Sequence, residues 1–398
     1  MTTYYVCPTD TLFVRGNLAF GDSGEHGASL MPPPPSLFAG AFRSALLGRD
    51  AAQLTAFLDH GQCTDARLAQ CLGTPREPGS FRISWLSLAG DTSTTKTATA
   101  TPEAITPLPA DLLLMDNAFV TLAPRPPMAG VQSAGDLPLR ATLLSAKQEK
   151  PQGGTFLRGN GLAQHLHGQQ PKKSDSVDSK YLFQRDPRLG IGLNTDSRTA
   201  EEGQIYTTEG FAFSPQSGSA DKGNATPFTS TGFLVGIEGV ADLLPDTGLL
   251  RLGGDGRSAH YRKVAFKAPT VANLPGASKR FRLVLQTPAL FSQGWFPDGV
   301  TQQDGIYHLQ GDGFTARLAC AALGRREVVS GWDLYQWAPK PTQAAAPAGS
   351  VYWFDAFEGD AGKLAAWVAR GLWPDDLNPM QQARRAEGYN RALLGAWN

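Results

Sequence analysis

The chain has 398 residues, with 36 Lys and Arg against 36 Asp and Glu, so its formal net charge is zero. A length well above the usual roughly 100–200 residues per domain predicts two domains. Zero net charge excludes a protein coated with nucleic acid over its whole surface, so any RNA or DNA site must be a local basic patch. The four cysteines form no C-x-x-C pair, which excludes a zinc ribbon and a thioredoxin motif.

Targeting and membrane signals are missing from the sequence. No charged-then-apolar leader opens it, and no run of about 18 apolar residues occurs. We therefore expect a cytoplasmic protein that makes no contact with a membrane.

The first helix is predicted after a stiff polyproline segment at residues 31–35. Ser36 is the expected N-terminal cap, and apolar residues at i, i+3 and i+4 spacing continue to residue 46. Arg43 is expected on or beside the exposed side of this helix. Because a helix N-terminus attracts anions, Ser36 and Arg43 are candidates for holding a phosphate. The alternative is an ordinary capped helix with a surface arginine.

A first basic region covers residues 140–188, with nine Lys or Arg and four acidic residues. Its Gly-, Gln-, Ser- and Lys-rich centre, residues 153–179, is expected to be mobile. His165 and His167 form an H-x-H pattern there. Because no third ligand accompanies them, we predict no metal site.

A glycine-rich loop, L-G-G-D-G-R, occupies residues 252–257. Glycine permits positive φ and close approach of the backbone to another molecule, and successive amides in such a loop can bind an anion. Arg257 closes the loop, an alternating strand at 258–266 follows, and residues 251–282 carry eight Lys or Arg against one Asp. This pattern predicts an RNA contact. A plain turn before a solvated basic strand is the alternative.

The order of the predicted elements indicates the fold. Strand, helix and strand are followed by a large insertion, a strand at residues 233–237, a short helix at 240–244, the glycine loop and the strand at 258–266. This is the ferredoxin-like order with long insertions. Further strands from residue 281 onward and two closing helices, at 360–373 and 379–397, form a second set. We therefore predict an α+β protein.

Four sequence patterns occur in order along the chain. They are P-P-S-x-x-x-G-A-F-R at residues 34–43, R-x-G-I at 188–191 with E-G-x-I-Y at 202–206, L-G-G-x-G-R at 252–257, and E-G-Y-N at 387–390. With them the sequence resembles the RAMP superfamily of CRISPR–Cas proteins. Within that superfamily it is most similar to the family of the third subunit of the type III-B (Cmr) effector complex, and the resemblance spans most of the chain.

The resemblance implies tandem ferredoxin-like (RRM-type) domains with long loop or hairpin insertions, which we expect at residues 1–268 and 269–398. It also implies a non-catalytic RNA-binding subunit that caps the five-prime repeat-derived handle of the CRISPR RNA. Such a subunit docks the large polymerase-like signature subunit and a backbone RAMP subunit, can lie near target RNA, and uses no cofactor. The basic region at 140–188 is a candidate for the thumb hairpin of related subunits.

Basic, aromatic and glycine residues in these segments supply the contacts that a single-stranded handle requires. We expect the RNA to be bound by Ser36, Arg43, Lys147, Arg158, Arg188, Arg198, Tyr206, Gly253, Gly254, Gly256, Arg257 and His260.

Two related functions remain as alternatives. One is the equivalent subunit of a type III-A (Csm) complex, and the other is a RAMP endoribonuclease that processes precursor CRISPR RNA with a histidine as general acid or base. His26, His165, His167 and His260 have no catalytic partner at a recognisable spacing. We therefore expect no enzymatic activity.

Overall fold

The computed structural model describes the chain except residues 15–25, 28–30, 93–100, 129, 131–134, 146–148, 195, 214–227, 241, 272–273 and 334. The fold is mixed α and β. Helices in the described residues are α1 (Pro35–Leu47), α2 (Ala51–His60), α3 (Ala66–Leu72), α4 (Gly159–Leu166), α5 (Ala361–Arg370) and α6 (Pro379–Glu387), with short 3₁₀ turns at Lys173–Asp175 and Ser179–Tyr181. None of the helices in these ranges is long and apolar enough to cross a membrane.

The larger sheet has eight strands among the described residues, and every neighbouring pair is antiparallel. In spatial order they are Ser176–Asp178, Thr155–Arg158, Glu103–Pro107, Arg82–Asp91, Ser230–Glu238, Thr2–Pro8, Ser258–Val264 and Thr247–Arg251. Four neighbouring strands of this sheet are, in spatial order, Ser258–Val264, Thr2–Pro8, Ser230–Glu238 and Arg82–Asp91. When these four are numbered 1 to 4 by their position in the sequence, their spatial order is 4-1-3-2.

The second sheet has six strands in the described part of the chain, and it is also antiparallel throughout. In spatial order they are Val300–Gln303, Ile306–Gly311, Phe314–Ala322, Val351–Gly359, Phe281–Leu285 and Ala392–Ala396. The last four of these, read from the Ala392–Ala396 edge and numbered along the chain, again lie in the order 4-1-3-2.

Smaller sheets decorate these two. A long hairpin pairs Gln184–Leu193 with Ala200–Ala212, and His26–Gly27 adds to it in parallel. Two-stranded ribbons pair Leu112–Met115 with Ala118–Thr121, Ala123–Arg125 with Arg140–Thr142, Glu327–Val329 with Gln343–Ala345, and Trp332–Asp333 with Ala338–Pro339.

Helix α1 covers one face of the eight-stranded sheet. Pro35 at its first turn has the φ that a helix start requires, and Phe38 and Phe42, one turn apart, point to the same side. The Phe42 ring lies 5.4 Å from that of Tyr4, and Phe38 lies 4.8 Å from Phe233. All four rings are buried. The predicted amphipathic helix is therefore confirmed.

The opposite face of the eight-stranded sheet is buried against the six-stranded sheet. Tyr5, Trp85 and Leu234 belong to one hydrophobic cluster with Val284 and Trp353. On its other side the six-stranded sheet packs against α5 through a cluster of its own. The two sheets thus share a core. The predicted division at residue 268 stays a prediction.

Three expectations about local structure are wrong. Residues 240–244 form no helix in their described part, because Gly239 at φ +78° and Pro245 leave too short a segment between them. Helix α6 ends at Glu387, because Gly388 adopts φ +95° and Ala392–Ala396 then pairs as a sheet strand.

The segment at 153–179, expected to be mobile, contains the strand Thr155–Arg158, helix α4 and the strand Ser176–Asp178. Leu157, Leu162 and Leu166 anchor it, because all three side chains are buried in the core shared by the sheets. Its polar composition conceals these few apolar anchors.

Candidate nucleic-acid interface

Arg188 and Arg257, which come from two separate sequence motifs, meet over the ring of Phe13. The guanidinium carbon of Arg188 lies 5.9 Å from the ring centroid, and that of Arg257 lies 5.6 Å from it. Phe13 is half-buried and lies just after the first strand. We call these three residues, with the carboxylates of Asp10 and Asp186, the Phe13 cluster.

The carboxylates of the Phe13 cluster hold its two arginines. Nε of Arg188 donates to Oδ2 of Asp186 at 2.9 Å, and its Nη2 donates to Oγ1 of Thr11 at 2.8 Å. Arg257 forms an ion pair with Asp10. The Thr11 hydroxyl and then the Arg188 guanidinium hold the pKa of Asp186 below its usual range. Half of the Asp10 side chain is exposed (51%), so the cluster opens to solvent.

The glycine loop packs against the backbone of Phe13. The Gly254 amide donates to the Phe13 carbonyl at 2.9 Å. Gly253 has φ +86°, and a Cβ there would lie 2.5 Å from the same carbonyl oxygen. A Cβ at Gly254 would have ordinary contacts, the nearest at 3.7 Å, and Gly256 has φ +65° with open space around it. The fold therefore requires glycine at Gly253 but leaves room for a Cβ at Gly254.

The loop amides are partly used within the chain. The Leu252 amide donates to the Arg257 carbonyl at 2.9 Å, and the Arg257 amide donates to the Gly254 carbonyl at 3.2 Å. These donors are therefore not free to bind an anion. The functional groups that the loop offers to a ligand include the Arg257 guanidinium.

The long hairpin begins at the Phe13 cluster. On one face, Tyr206 lies over Gly190, because a Cβ at Gly190 would lie 2.4 Å from Cζ of the tyrosine ring. Arg198 is exposed in the connecting turn at φ +56°. The opposite face exposes apolar side chains: Leu189 (74%), Ile191 (50%), Leu193 (58%) and Ile205 (57%). The long hairpin lies at residues 184–212 and shares only residues 184–188 with the basic region at 140–188, whose role as a thumb hairpin stays a prediction.

Ser36 and Arg43 lie elsewhere, and their expected local roles are wrong. The N-cap of α1 is Pro34, whereas the Ser36 hydroxyl lies 3.1 Å from the Tyr389 hydroxyl. Arg43 is half-buried and donates from Nη2 to the Leu72 carbonyl at 3.2 Å. Burial lowers the pKa of Arg43. Ser36 therefore connects α1 with the segment after α6, and Arg43 contacts the end of α3.

The other predicted contacts are separate from the Phe13 cluster. Arg158 donates from Nε and Nη2 to Oε2 of Glu103, at 2.9 and 2.6 Å, and this pairing raises the pKa of Arg158. His260 is exposed on the strand Ser258–Val264. Lys147 lies outside the described residues.

His165 belongs to a buried network that the sequence did not indicate. Its Nε2 lies 2.9 Å from Oδ1 of Asp111, whose Oδ2 accepts from Nη1 of Arg282 at 2.5 Å. Arg282 also donates to the His165 carbonyl. Burial alone would raise the pKa of Asp111, but His165 and Arg282 lower it below its usual range. The network joins α4 to the strand Phe281–Leu285 of the six-stranded sheet.

In the part of the chain that the structure describes, no group of three or more His, Cys, Asp or Glu side chains could hold a metal ion. Nδ1 of His167 lies 2.8 Å from the Ala163 carbonyl.

Sequence reasoning identified Arg188, Arg257 and the glycines but missed Phe13, Asp10 and Asp186. A single phenylalanine gives no signal by itself, and an aspartate beside a turn is common. The family-like motifs at 188–191 and 252–257 could have directed attention to a shared neighbour, but they do not specify which one.

Comparisons with known proteins agree with the resemblance seen in the sequence. Residues 4–397 match the family model described as "CRISPR-associated protein (Cas_Cmr3)". No curated protein matches the chain. Among solved structures, one similar chain is from "Cryo-EM structure of the Type III-B Cmr-beta bound to cognate target RNA and AMPPnP, state 1", with a TM-score of 0.51, 14% identity, and coverage of 98% of this chain and 95% of that one.

A second similar chain, from "Cryo-EM structure of the Type III-B Cmr-beta bound to cognate target RNA", has a TM-score of 0.49 and 14% identity, covering 98% of this chain and 96% of that one. At this identity the structural likeness concerns the fold, whereas the family match extends over nearly the whole sequence. The chain therefore belongs to the Cas_Cmr3 family of CRISPR-associated proteins.

Proposed function

We propose that this chain is a non-catalytic RNA-binding subunit of a type III-B effector complex and holds the five-prime repeat-derived handle of the CRISPR RNA at the Phe13 cluster. In this proposal it also docks the large polymerase-like subunit and a backbone RAMP subunit. The observation that carries the RNA site is the convergence of Arg188 and Arg257 on one accessible aromatic ring. The family match favours the type III-B assignment over the type III-A alternative.

The chemistry of the Phe13 cluster suits a single strand. Splayed RNA bases stack on aromatic rings, and arginines neutralise the phosphates between them. The carboxylates that hold Arg188 and Arg257 are partly exposed, and exposed ion pairs contribute only about 0–1 kcal/mol. A phosphate can therefore replace Asp10 or Asp186 as the partner of a guanidinium at little cost in free energy.

The architecture supports a site at the end of the sheet rather than on its face. We propose that each sheet is a ferredoxin-like core, because each contains the strand order 4-1-3-2. In an RRM the open sheet face binds RNA. Here α1 and the second sheet bury the two faces of the larger sheet, as Tyr4 on one side and Tyr5 on the other illustrate. Loops beyond the strand ends, which include Phe13, remain accessible.

Binding of purified protein to RNA with and without the handle, over a range of salt concentrations, tests the proposal. Arg188→Ala and Arg257→Ala should each reduce the salt slope by about one charge. Phe13→Leu keeps an apolar side chain but removes stacking, and should weaken handle binding about fivefold to 150-fold. On a denaturing gel the same samples should contain intact RNA, with or without divalent metal.

Arg185→Ala is the matched control, because Arg185 is 74% exposed on the same hairpin and pairs with Glu209. It should leave handle recognition close to that of the unmutated protein. Folded Phe13 and Arg257 variants that distinguish the two RNAs as well as the unmutated protein does would remove the Phe13 cluster from the interface. Specific cleavage that disappears in His260→Ala would instead favour the endoribonuclease.

A further inference from the structure

A cavity of about 570 Å³ lies beside the strand Ala392–Ala396 of the six-stranded sheet. We call it the Trp397 cavity, after one of the residues that line it. Residues of the sheet form one wall, and the other walls come mainly from residues 121–124 and from the segment 168–170 after α4. The volume lies within the range of about 300–1,000 Å³ that is usual for small-molecule sites. The cavity shares no residue with the Phe13 cluster.

The register of neighbouring strands places two arginines and two tryptophans on the sheet wall of the cavity. Arg282 pairs with Gly395 on one side and with Trp353 on the other. The same register places Arg280, two residues earlier, across from Trp397. Because side chains two residues apart in a strand point to the same face, Arg280 and Arg282 both line the cavity.

Trp397 holds the guanidinium of Arg280 in place. The guanidinium carbon lies 5.0 Å from the centroid of the indole ring, which is a cation–π contact. Arg280 is exposed, and its guanidinium forms no ion pair or hydrogen bond with any residue that the structure describes. Its N–H groups are therefore available, and their planar fork matches a phosphate or a carboxylate. Arg280 is thus an anchored cation without an acidic partner in the described chain.

Arg282, by contrast, is fixed within the wall. Oδ2 of Asp111 and the His165 carbonyl accept from its two terminal nitrogens. Its Nε is buried and has no acceptor among the described residues. A Cβ at Gly395 would lie 3.2 Å from this nitrogen, so the glycine makes room for the arginine. Because Asp111 balances the charge of Arg282, the available charge of the cavity comes from Arg280.

The remaining walls carry uncharged groups. Gln169 is exposed, and its side-chain amide forms no hydrogen bond with another residue that the structure describes. An amide offers both a donor and an acceptor, which is the combination that the edge of a nucleobase requires. Leu122 and Pro124 are half-buried and add apolar surface. None of the described residues that line the cavity is acidic, so an anionic ligand meets no repulsion from the lining side chains.

We propose that the Trp397 cavity binds a nucleoside monophosphate, with its phosphate on Arg280 and its base beside the Gln169 amide. An apolar ligand would leave the guanidinium unpaired, and inorganic phosphate would occupy only a small part of the volume. A free nucleotide and the terminal nucleotide of an RNA present the same phosphate and base, so the experiment has an arm for each source. The proposal does not depend on RNA binding at the Phe13 cluster.

Isothermal titration of the purified chain with AMP and UMP, a purine and a pyrimidine probe, tests the proposal. Arg280→Gln should weaken binding about tenfold to 150-fold, because hydrogen bonds between a cation and the phosphate are lost. Trp397→Leu, which removes the ring that holds Arg280, should act in the same direction. Arg370→Gln is the matched control, because Arg370 is 44% exposed on α5, on the other side of the sheet. Thermal unfolding verifies that each variant is folded.

Two further arms define the ligand. Adenosine, which lacks the phosphate, should bind at least about tenfold more weakly than AMP. A short RNA with a five-prime phosphate that displaces AMP would assign the cavity to RNA ends, whereas an RNA that leaves AMP bound would assign it to free nucleotides. Either result supports the nucleotide site. Arg257→Ala should bind AMP as the unmutated protein does, so failure of the RNA site at the Phe13 cluster would leave this proposal standing.

Several results would overturn the nucleotide site. One is the absence of saturable binding of AMP or UMP by the unmutated chain up to about 1 mM ligand. Equal affinity for AMP and adenosine, or competition by inorganic phosphate as strong as that by AMP, would contradict recognition of both phosphate and base. Unchanged affinity of a folded Arg280→Gln variant, or an equal loss in the Arg370→Gln control, would remove Arg280 from the site.

Discussion

Two regions of this protein use the same pair of residue types, Arg and Asp, in opposite surroundings. In the Phe13 cluster, Arg188 and Asp10 have side chains that are 41% and 51% exposed. In the buried network, Arg282 and Asp111 are 5% and 0% exposed. Both pairs join segments that are distant in the sequence.

Burial decides what each pair can do. An exposed pair gains little free energy and can exchange its carboxylate for a ligand phosphate. A buried pair is fixed, because removing one partner leaves an uncompensated charge in the interior. Arg257 and Arg282 belong to the same basic segment of the sequence, so local charge alone does not separate an available arginine from a structural one.

Asp111→Ala should have the largest effect on this contrast. Without the carboxylate, Arg282 and the His165 ring lose their partner inside the core, and we expect the free energy of unfolding to fall by about 3–5 kcal/mol. Urea denaturation followed by tryptophan fluorescence measures it. The matched change in the exposed region, Asp10→Ala, should stay within about 0.5 kcal/mol. Equal losses in the two variants would contradict the distinction between the regions.

Acid should weaken the buried network in a defined pH range. The pKa of Asp111 is lowered in the folded state, so its contribution to stability is complete above the unfolded-state pKa of about 4 and is lost as the pH falls through the folded value. The stability difference between the unmutated protein and Asp111→Asn should therefore shrink as the pH falls below about 4. A difference that shrinks already above pH 5 would argue against a lowered pKa.

Substitutions in the glycine loop, which belongs to the exposed region, should reduce stability less than Asp111→Ala does. Gly253→Ala places a Cβ against the Phe13 carbonyl at positive φ, and should cost about 1–3 kcal/mol. By displacing Phe13 it should also weaken handle binding. Gly254→Ala has room for its methyl group and should change stability by less than about 0.5 kcal/mol. Thermal unfolding and the RNA assay compare the two variants. Identical behaviour would mean that the loop does not position Phe13.

Features that depend on neighbouring residues were predictable from the sequence. The spacing of Phe38 and Phe42 after the polyproline segment predicted α1, because an apolar stripe is encoded within two turns. Alternation in the basic segment predicted the strand that the structure has at Ser258–Val264. The ordered motifs predicted the family. Composition and local period are sufficient for such features, since their determining contacts lie within a few residues.

Tertiary structure decided the rest. Phe13 lies beside two arginines because the hairpin and the glycine loop converge on it, and Asp111 is buried because α4 and the strand Phe281–Leu285 enclose it. Arg43 was predicted at the surface and instead contacts the end of α3. In each case the partner lies far away in the chain. The packing of whole sheets and helices, rather than local preference, fixes which side chains meet and how much water they retain.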